Sequence, residues 1–135
     1  MLDTTYRERL KTKSIPILKK LATEEFNLFI RTRDKDKVCI SCRKGKVEQA
    51  GHFYSAGHHA GLRFNENNVH GQCVRCNHFL SGNLSNYRVW IIEKIGTMGL
   101  DKLDFDAAFY AKNGYKWDRQ TLIEIIIKYK ALNSK

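Results

Sequence analysis

From Pro16 onward, apolar residues recur at Leu18, Ala22, Phe26, Phe29 and Ile30 with charged residues between them. That spacing predicts an amphipathic helix, with Pro16 in its first turn and Ser14 or Ile15 just outside. Residues 1–15 are polar and are expected to form a flexible basic N-terminus. RTRDKDK ends the helix and leads into VCISCRKGK, whose glycine suits a tight turn. VEQAGHFY alternates apolar and polar positions as a strand does. SAGHHAG reads as a small-residue loop, and LRFNENNVHGQC as a second extended arm broken by an Asn-rich turn at residues 65–68. CVRCNHFLSGN then opens a short helix. After Gly82, LSNYRVWIIEKIG places Tyr87, Trp90, Ile91 and Ile95 on one face, and Gly96 can stop it. DKLDFDAAFYAK is a weaker helix or a turn. Asp118 can cap a last helix carrying Leu122, Ile123, Ile126, Ile127 and Tyr129. The element order predicts an α+β fold with flanking N-terminal and C-terminal helices.

At 135 residues and 42% apolar content, the chain can fold as one domain with a modest core. The expected layout is a single domain over 16–135, with a core at about 37–85 and a helical part at 86–135. MLDTTYRERLKTK is charged and unlike a signal peptide, and LIEIIIKYKAL is interrupted by charge and too short to span a bilayer. No membrane association and a cytosolic location are therefore expected. The net charge of +10 favours a polyanion, most simply nucleic acid, over an anionic membrane, because the basic residues are spread along the whole chain.

Cysteines in a reducing compartment argue against disulfides. Cys39 and Cys42, then Cys73 and Cys76, repeat one spacing and form a paired-knuckle pattern for structural Zn²⁺. The alternatives are two disulfides or four free thiols. Residues 43–72 between the knuckles are more than a simple ribbon needs, so they must hold structure of their own. That stretch and the turn after it also carry histidine and asparagine. A neutral imidazole suits a general base near pH 7, and a side-chain amide oxygen suits a hard cation such as Mg²⁺.

AGHFYSAG, LRFNENNVHGQCVRCN and LSGNLSNYRVWIIEKIG, with FNLFIRTRDKDKVCISC upstream, resemble the matching blocks of the NinG family of phage recombination proteins, also called Rap. The resemblance covers about Phe26 to Gly96 and fades beyond, resuming faintly in the last helix. At the superfamily level His52, Asn68 and Asn77 match an HNH, or ββα-metal, nuclease, so the expected core is a zinc-stabilised ββα-metal fold. The resemblance implies a structure-selective DNA endonuclease nicking branched recombination intermediates such as Holliday junctions and D-loops in the bacterial host cytoplasm. In that pattern His52 activates water, Asn68 braces the loop and Asn77 holds a catalytic Mg²⁺ or Mn²⁺. The HNH pattern usually has Asp where this chain has Gly51. A second catalytic-metal ligand must then come from His70, Asn83, His58 or His52 itself, with His70 favoured. The family also carries a longer basic N-terminal region, so DNA affinity is expected to rest more on the core domain here.

Each residue also has a plain reading. His52 alone could be a satisfied polar residue, Asn68 a turn residue, and Asn77 a helix cap. His78 is expected on an exposed face, and His58 and His59 in a solvated loop. Arg63, Arg88, Lys44 and Lys46 are candidate phosphate contacts, with surface ion pairs as the alternative. The IEIII segment reads as core, although a helix apolar nearly all round can bury a face in a partner. Symmetric cutting of a junction would match a homodimer, expected through the C-terminal helices. Two other functions remain open: a sequence-specific HNH endonuclease, and a non-catalytic zinc module that binds nucleic acid.

Overall fold

The computed structural model describes residues 4–135; Met1–Asp3 of the expected flexible terminus lie outside the described residues. The fold mixes α and β but is mostly helical, with one two-stranded antiparallel sheet. It divides into two compact units. One holds the described residues through Phe29 together with Trp117–Lys135, and the other holds Ile30–Lys116. The last helix therefore belongs with the N-terminal helices and not with the segment immediately before it.

In the first unit, α1 (Thr4–Leu10) lies within the segment expected to be a flexible terminus, and its Leu10 is fully buried. Ser14 stands just before α2 (Ile15–Asp34), its carbonyl accepting from Leu18 N at 2.9 Å. Asp118 caps α4 (Arg119–Asn133) by accepting from Thr121 N at 2.7 Å, as its position before the apolar run predicts. Leu122, Ile123, Ile126 and Tyr129 of α4 are buried. The Tyr129 ring meets Phe26 edge-on at 5.1 Å and Phe29 at the same distance. One apolar face of α4 is thus packed inside this unit, while Ile125 and Ile127 are only partly buried.

In the second unit, β1 (Gln49–His52) pairs antiparallel with β2 (Val69–Gln72), placing Gly51 opposite His70 and His52 opposite Val69. A turn of 3₁₀ helix (Ala60–Leu62) lies between the strands, and a π-helical turn (Arg75–Phe79) follows them. α3 runs from Leu84 to Asn113 with a kink at Gly96. There φ is 74° and ψ 169°, a region open essentially to glycine alone. The predicted stop is real, but helix resumes at once. The weakly patterned DKLDFDAAFYAK is helical because Leu100, Leu103 and Ala107 bury one face at spacings of three and four. With Ile40, Phe53, Leu62, Tyr87 and Ile91 these residues form the core of the unit. Among the described residues, no helix is long and apolar enough to cross a membrane.

Candidate functional site

The four cysteines converge. None forms a disulfide, and the Sγ atoms of Cys39, Cys42, Cys73 and Cys76 all lie within 4.8 Å of one another. Zn–S bonds of about 2.3 Å in a tetrahedron place sulfurs about 3.8 Å apart; Cys42 and Cys73 are separated by 3.9 Å. Backbone and side-chain donors face the sulfurs: Gly45 N to Cys42 at 3.3 Å, Cys76 N to Cys73 at 3.5 Å, and Asn83 Nδ2 to Cys76 at 3.4 Å. Burial would raise the Cys42 pKa, but hydrogen bonds from the Gly45 and Lys44 backbone and the neighbouring thiols bring it down to about 6. Burial pushes Cys76 up to about 12. Four thiolates cannot coexist at this separation without a cation among them, so the cluster fits a structural metal such as zinc. Gly45 is required by this packing, because a Cβ there would stand 2.8 Å from Cys73 Cβ.

His52 sits at the end of β1. Its Nε2 lies 2.9 Å from the carbonyl oxygen of Arg63. A carbonyl only accepts, so Nε2 carries the proton and Nδ1 keeps its lone pair. Burial holds the imidazole pKa below its ordinary value, with the nearby Arg63 charge acting the same way against the carbonyl bond. The ring is therefore neutral near pH 7. It lines a cavity of about 540 Å³ with Phe53, Tyr54, His59, Ser85 and Arg88, among others.

Asn68 is fully buried between the strands. Its Oδ1 accepts from Tyr54 N at 2.8 Å, while Nδ2 donates to the carbonyls of Tyr54 at 2.9 Å and Leu62 at 3.2 Å. It ties the loop carrying the histidines to the start of β2. Asn77, on the π-helical turn directly after Cys76, donates through Nδ2 to Gln49 Oε1 at 2.8 Å. That leaves its Oδ1 as a hard oxygen donor. Asn77 is not among the residues lining the His52 cavity.

His70, favoured from sequence as a second ligand, has a different setting. The strand register puts it on the opposite face of the sheet from His52. Its Nδ1 lies 3.2 Å from the Tyr87 hydroxyl, and its neighbours in a small pocket include Lys37 and Lys94. Burial, then the Arg33 charge, takes its pKa down to about 4. Asp34 and Glu66 line the same pocket, so His70 sits in a mixed-charge setting on the sheet face away from His52.

Gly51 has its own explanation. A Cβ at that position would fall 1.7 Å from Gln72 Oε1. The Gln72 amide nitrogen is bound to Ser41 Oγ and the Gly82 carbonyl, both at 2.7 Å, so the side chain cannot swing away without losing both bonds. A carboxylate at this position would have to displace the Gln72 side chain and its two hydrogen bonds.

The basic candidates fall in separate places. Arg88 grips Asp104 through both terminal nitrogens, Nη1 to Oδ1 at 3.1 Å, and Tyr54 donates to the same carboxylate at 2.5 Å. Arg63 contributes its carbonyl to His52. Lys44 and Lys46 are exposed next to the first knuckle. His78 and His58 are exposed as expected. His59 is half-buried, its Nδ1 3.2 Å from the Ser55 carbonyl. Sequence reasoning did not single out Asn83 as a thiolate donor, Gln72 as the group behind Gly51, or Asp104 as the partner of Arg88. The SGN that follows the second knuckle was the only local signal among the three.

A family model described as Bacteriophage Lambda NinG protein matches residues 3–135. Protein ninG of Salmonella phage P22 is 46% identical over 89 residues, covering 64% of this chain and 44% of the relative. Protein ninG of Escherichia phage lambda is 42% identical over 100 residues, covering 73% and 47%. That of Escherichia phage 933W is 39% identical over 112 residues, covering 82% and 53%. The chain thus spans about half the length of the curated relatives it matches. No solved structure matches it. With the family model running over nearly the whole sequence and relatives 39–42% identical covering 73–82% of it, the chain belongs to the NinG family.

Proposed function

We propose that this protein is a metal-dependent endonuclease of the HNH type, with structural zinc in the four-cysteine cluster, acting on branched DNA in the cytoplasm of an infected host. The observation that carries the reading is the state of His52. Its Nε2–H is committed to the Arg63 carbonyl, its Nδ1 is left as a base, and burial keeps it neutral at physiological pH. The adjoining cavity has room for a phosphodiester and an Arg88 guanidinium at its wall.

In this reading His52 Nδ1 takes the proton of the attacking water. Asn68 acts at one remove by holding the strand and loop that aim the imidazole. Asn77 Oδ1, which lies outside the lining of the His52 cavity, would hold Mg²⁺ or Mn²⁺, and such an ion would supply positive charge to the phosphate. Gly51 would contribute no carboxylate to such an ion. Arg88, oriented by Asp104, faces the phosphate from the cavity wall. Symmetric nicking of a four-way junction requires two active sites, so two copies act together on that substrate.

The test is incubation of zinc-loaded protein with a four-way junction, a D-loop and a plain duplex, each with Mg²⁺ or Mn²⁺. Cleavage of the branched substrates that falls at least about 100-fold in His52→Ala is expected, the range of a lost general base. No cleavage by the wild type, or equal cleavage by the variant, would reject the reading. Discrete cuts in unbranched duplex would point instead to a sequence-specific nuclease. Tight binding without turnover would point to a zinc module that only binds.

A further inference from the structure

The first turns of α3 separate two concave surfaces. Leu84, Ser85 and Arg88 line the cavity of His52, whereas Asn83, Asn86 and Trp90 line another of about 480 Å³. At 3.6 residues per turn these two sets lie on opposite sides of the helix. The remaining wall of the second cavity comes from the knuckles and includes Arg43, Lys44 and Arg75.

We propose that this second cavity binds nucleotides of a DNA strand other than the one at His52, so that the protein grips both sides of a branch point. The inference rests on the nuclease reading for its substrate, but not for its contacts. Lys44 and Arg75 are exposed, and neither has an acidic partner among the described residues. The Arg43 guanidinium lies over the Trp90 ring at 4.3 Å and is steadied by Glu93 at 3.4 Å. Its outer plane is a platform on which an unpaired base can stack. Asn86 donates to Asn83, which leaves the Asn86 carbonyl oxygen as an acceptor for a base edge. Two unpaired cations, a stacking plane and an amide acceptor are what a segment of single strand needs. A continuous duplex offers no unstacked base to this platform.

The cations have a competing role. Zinc held by four thiolates carries a net negative charge, which Lys44 and Arg75 could balance. The experiment separates the two. Anisotropy is measured on zinc-loaded protein without Mg²⁺ or Mn²⁺, using a labelled four-way junction, a fork with unpaired nucleotides and a linear duplex at several salt concentrations. Lys44→Ala/Arg75→Ala is expected to weaken junction and fork binding about tenfold or more. It should also lower the slope of log Kd against log salt by about 1–2, the loss of two phosphate contacts. Linear duplex binding, Tm and zinc content should change little. Unchanged affinity, equal losses on all three DNAs, or loss of zinc and Tm without loss of junction binding would each overturn the proposal. Wild-type protein that binds branched DNA in this assay but does not cut it once Mg²⁺ or Mn²⁺ is added would remove the nuclease reading and leave this one standing.

Discussion

Single residues carry much of the chemistry here, and the structure shows what each position will tolerate. A side chain at Gly51 would have to displace Gln72 from its bonds to Ser41 and Gly82. Gly51→Asp should therefore destabilise the protein by about 1–3 kcal/mol through overpacking, measured by urea unfolding, even though it restores the carboxylate of the general pattern. His70 predicts a pH dependence. Its folded-state pKa of about 4 lies below the ordinary histidine value near 6.5. The unfolded chain then takes up a proton that the folded chain refuses until lower pH. The stabilisation is complete above about pH 6.5 and is lost as pH falls towards 4, by on the order of 3 kcal/mol. His70→Gln should flatten that part of the stability–pH curve, and an unaltered curve would show that another group is responsible. The cysteine spacing was readable one residue at a time. The roles of His52 and His70 were not, because a histidine's protonation depends on which carbonyl or cation the fold brings to it.

At the level of elements, amphipathic periodicity located α2 and α4, and Asp118 marked the start of α4. It understated the second half of α3, whose buried stripe of Leu100, Leu103 and Ala107 is diluted by exposed Phe105 and Phe109. The kink in α3 is local chemistry: only Gly96 can take its backbone angles without strain. Gly96→Ala should cost about 1–3 kcal/mol, visible as a lower Tm. The strand pair is short, and its alternation was legible, but alternation alone does not say which histidine faces which wall. Register settled that by setting His52 opposite Val69 and Gly51 opposite His70.

For the molecule as a whole, the thiolate cluster joins the two ends of a long intervening segment, and the unit from Ile30 to Lys116 has only a modest core besides. One zinc per chain is expected by elemental analysis. Its removal by a chelator should unfold this unit, read as loss of circular dichroism and of protease resistance. Cys39→Ser should reproduce the effect without a chelator. An apo protein with unchanged stability would show that the sulfurs pack without a metal. The other unit, built from α1, α4 and α2 through Phe29, needs no metal ligand.

What the sequence alone determined is what depends on composition and near neighbours: the metal-binding cysteine pattern, the helical stripes, the Asp118 cap, and the glycines at turns. Only the tertiary structure decided which long-range partners met. Lys44 and Arg75 share one concave surface, Arg88 is held by Asp104, Gln72 fills the space above Gly51, and the last helix buries its apolar face with Phe26. Such pairings are set by strand register, helix phase and steric fit between segments far apart in the chain, and no local pattern encodes them.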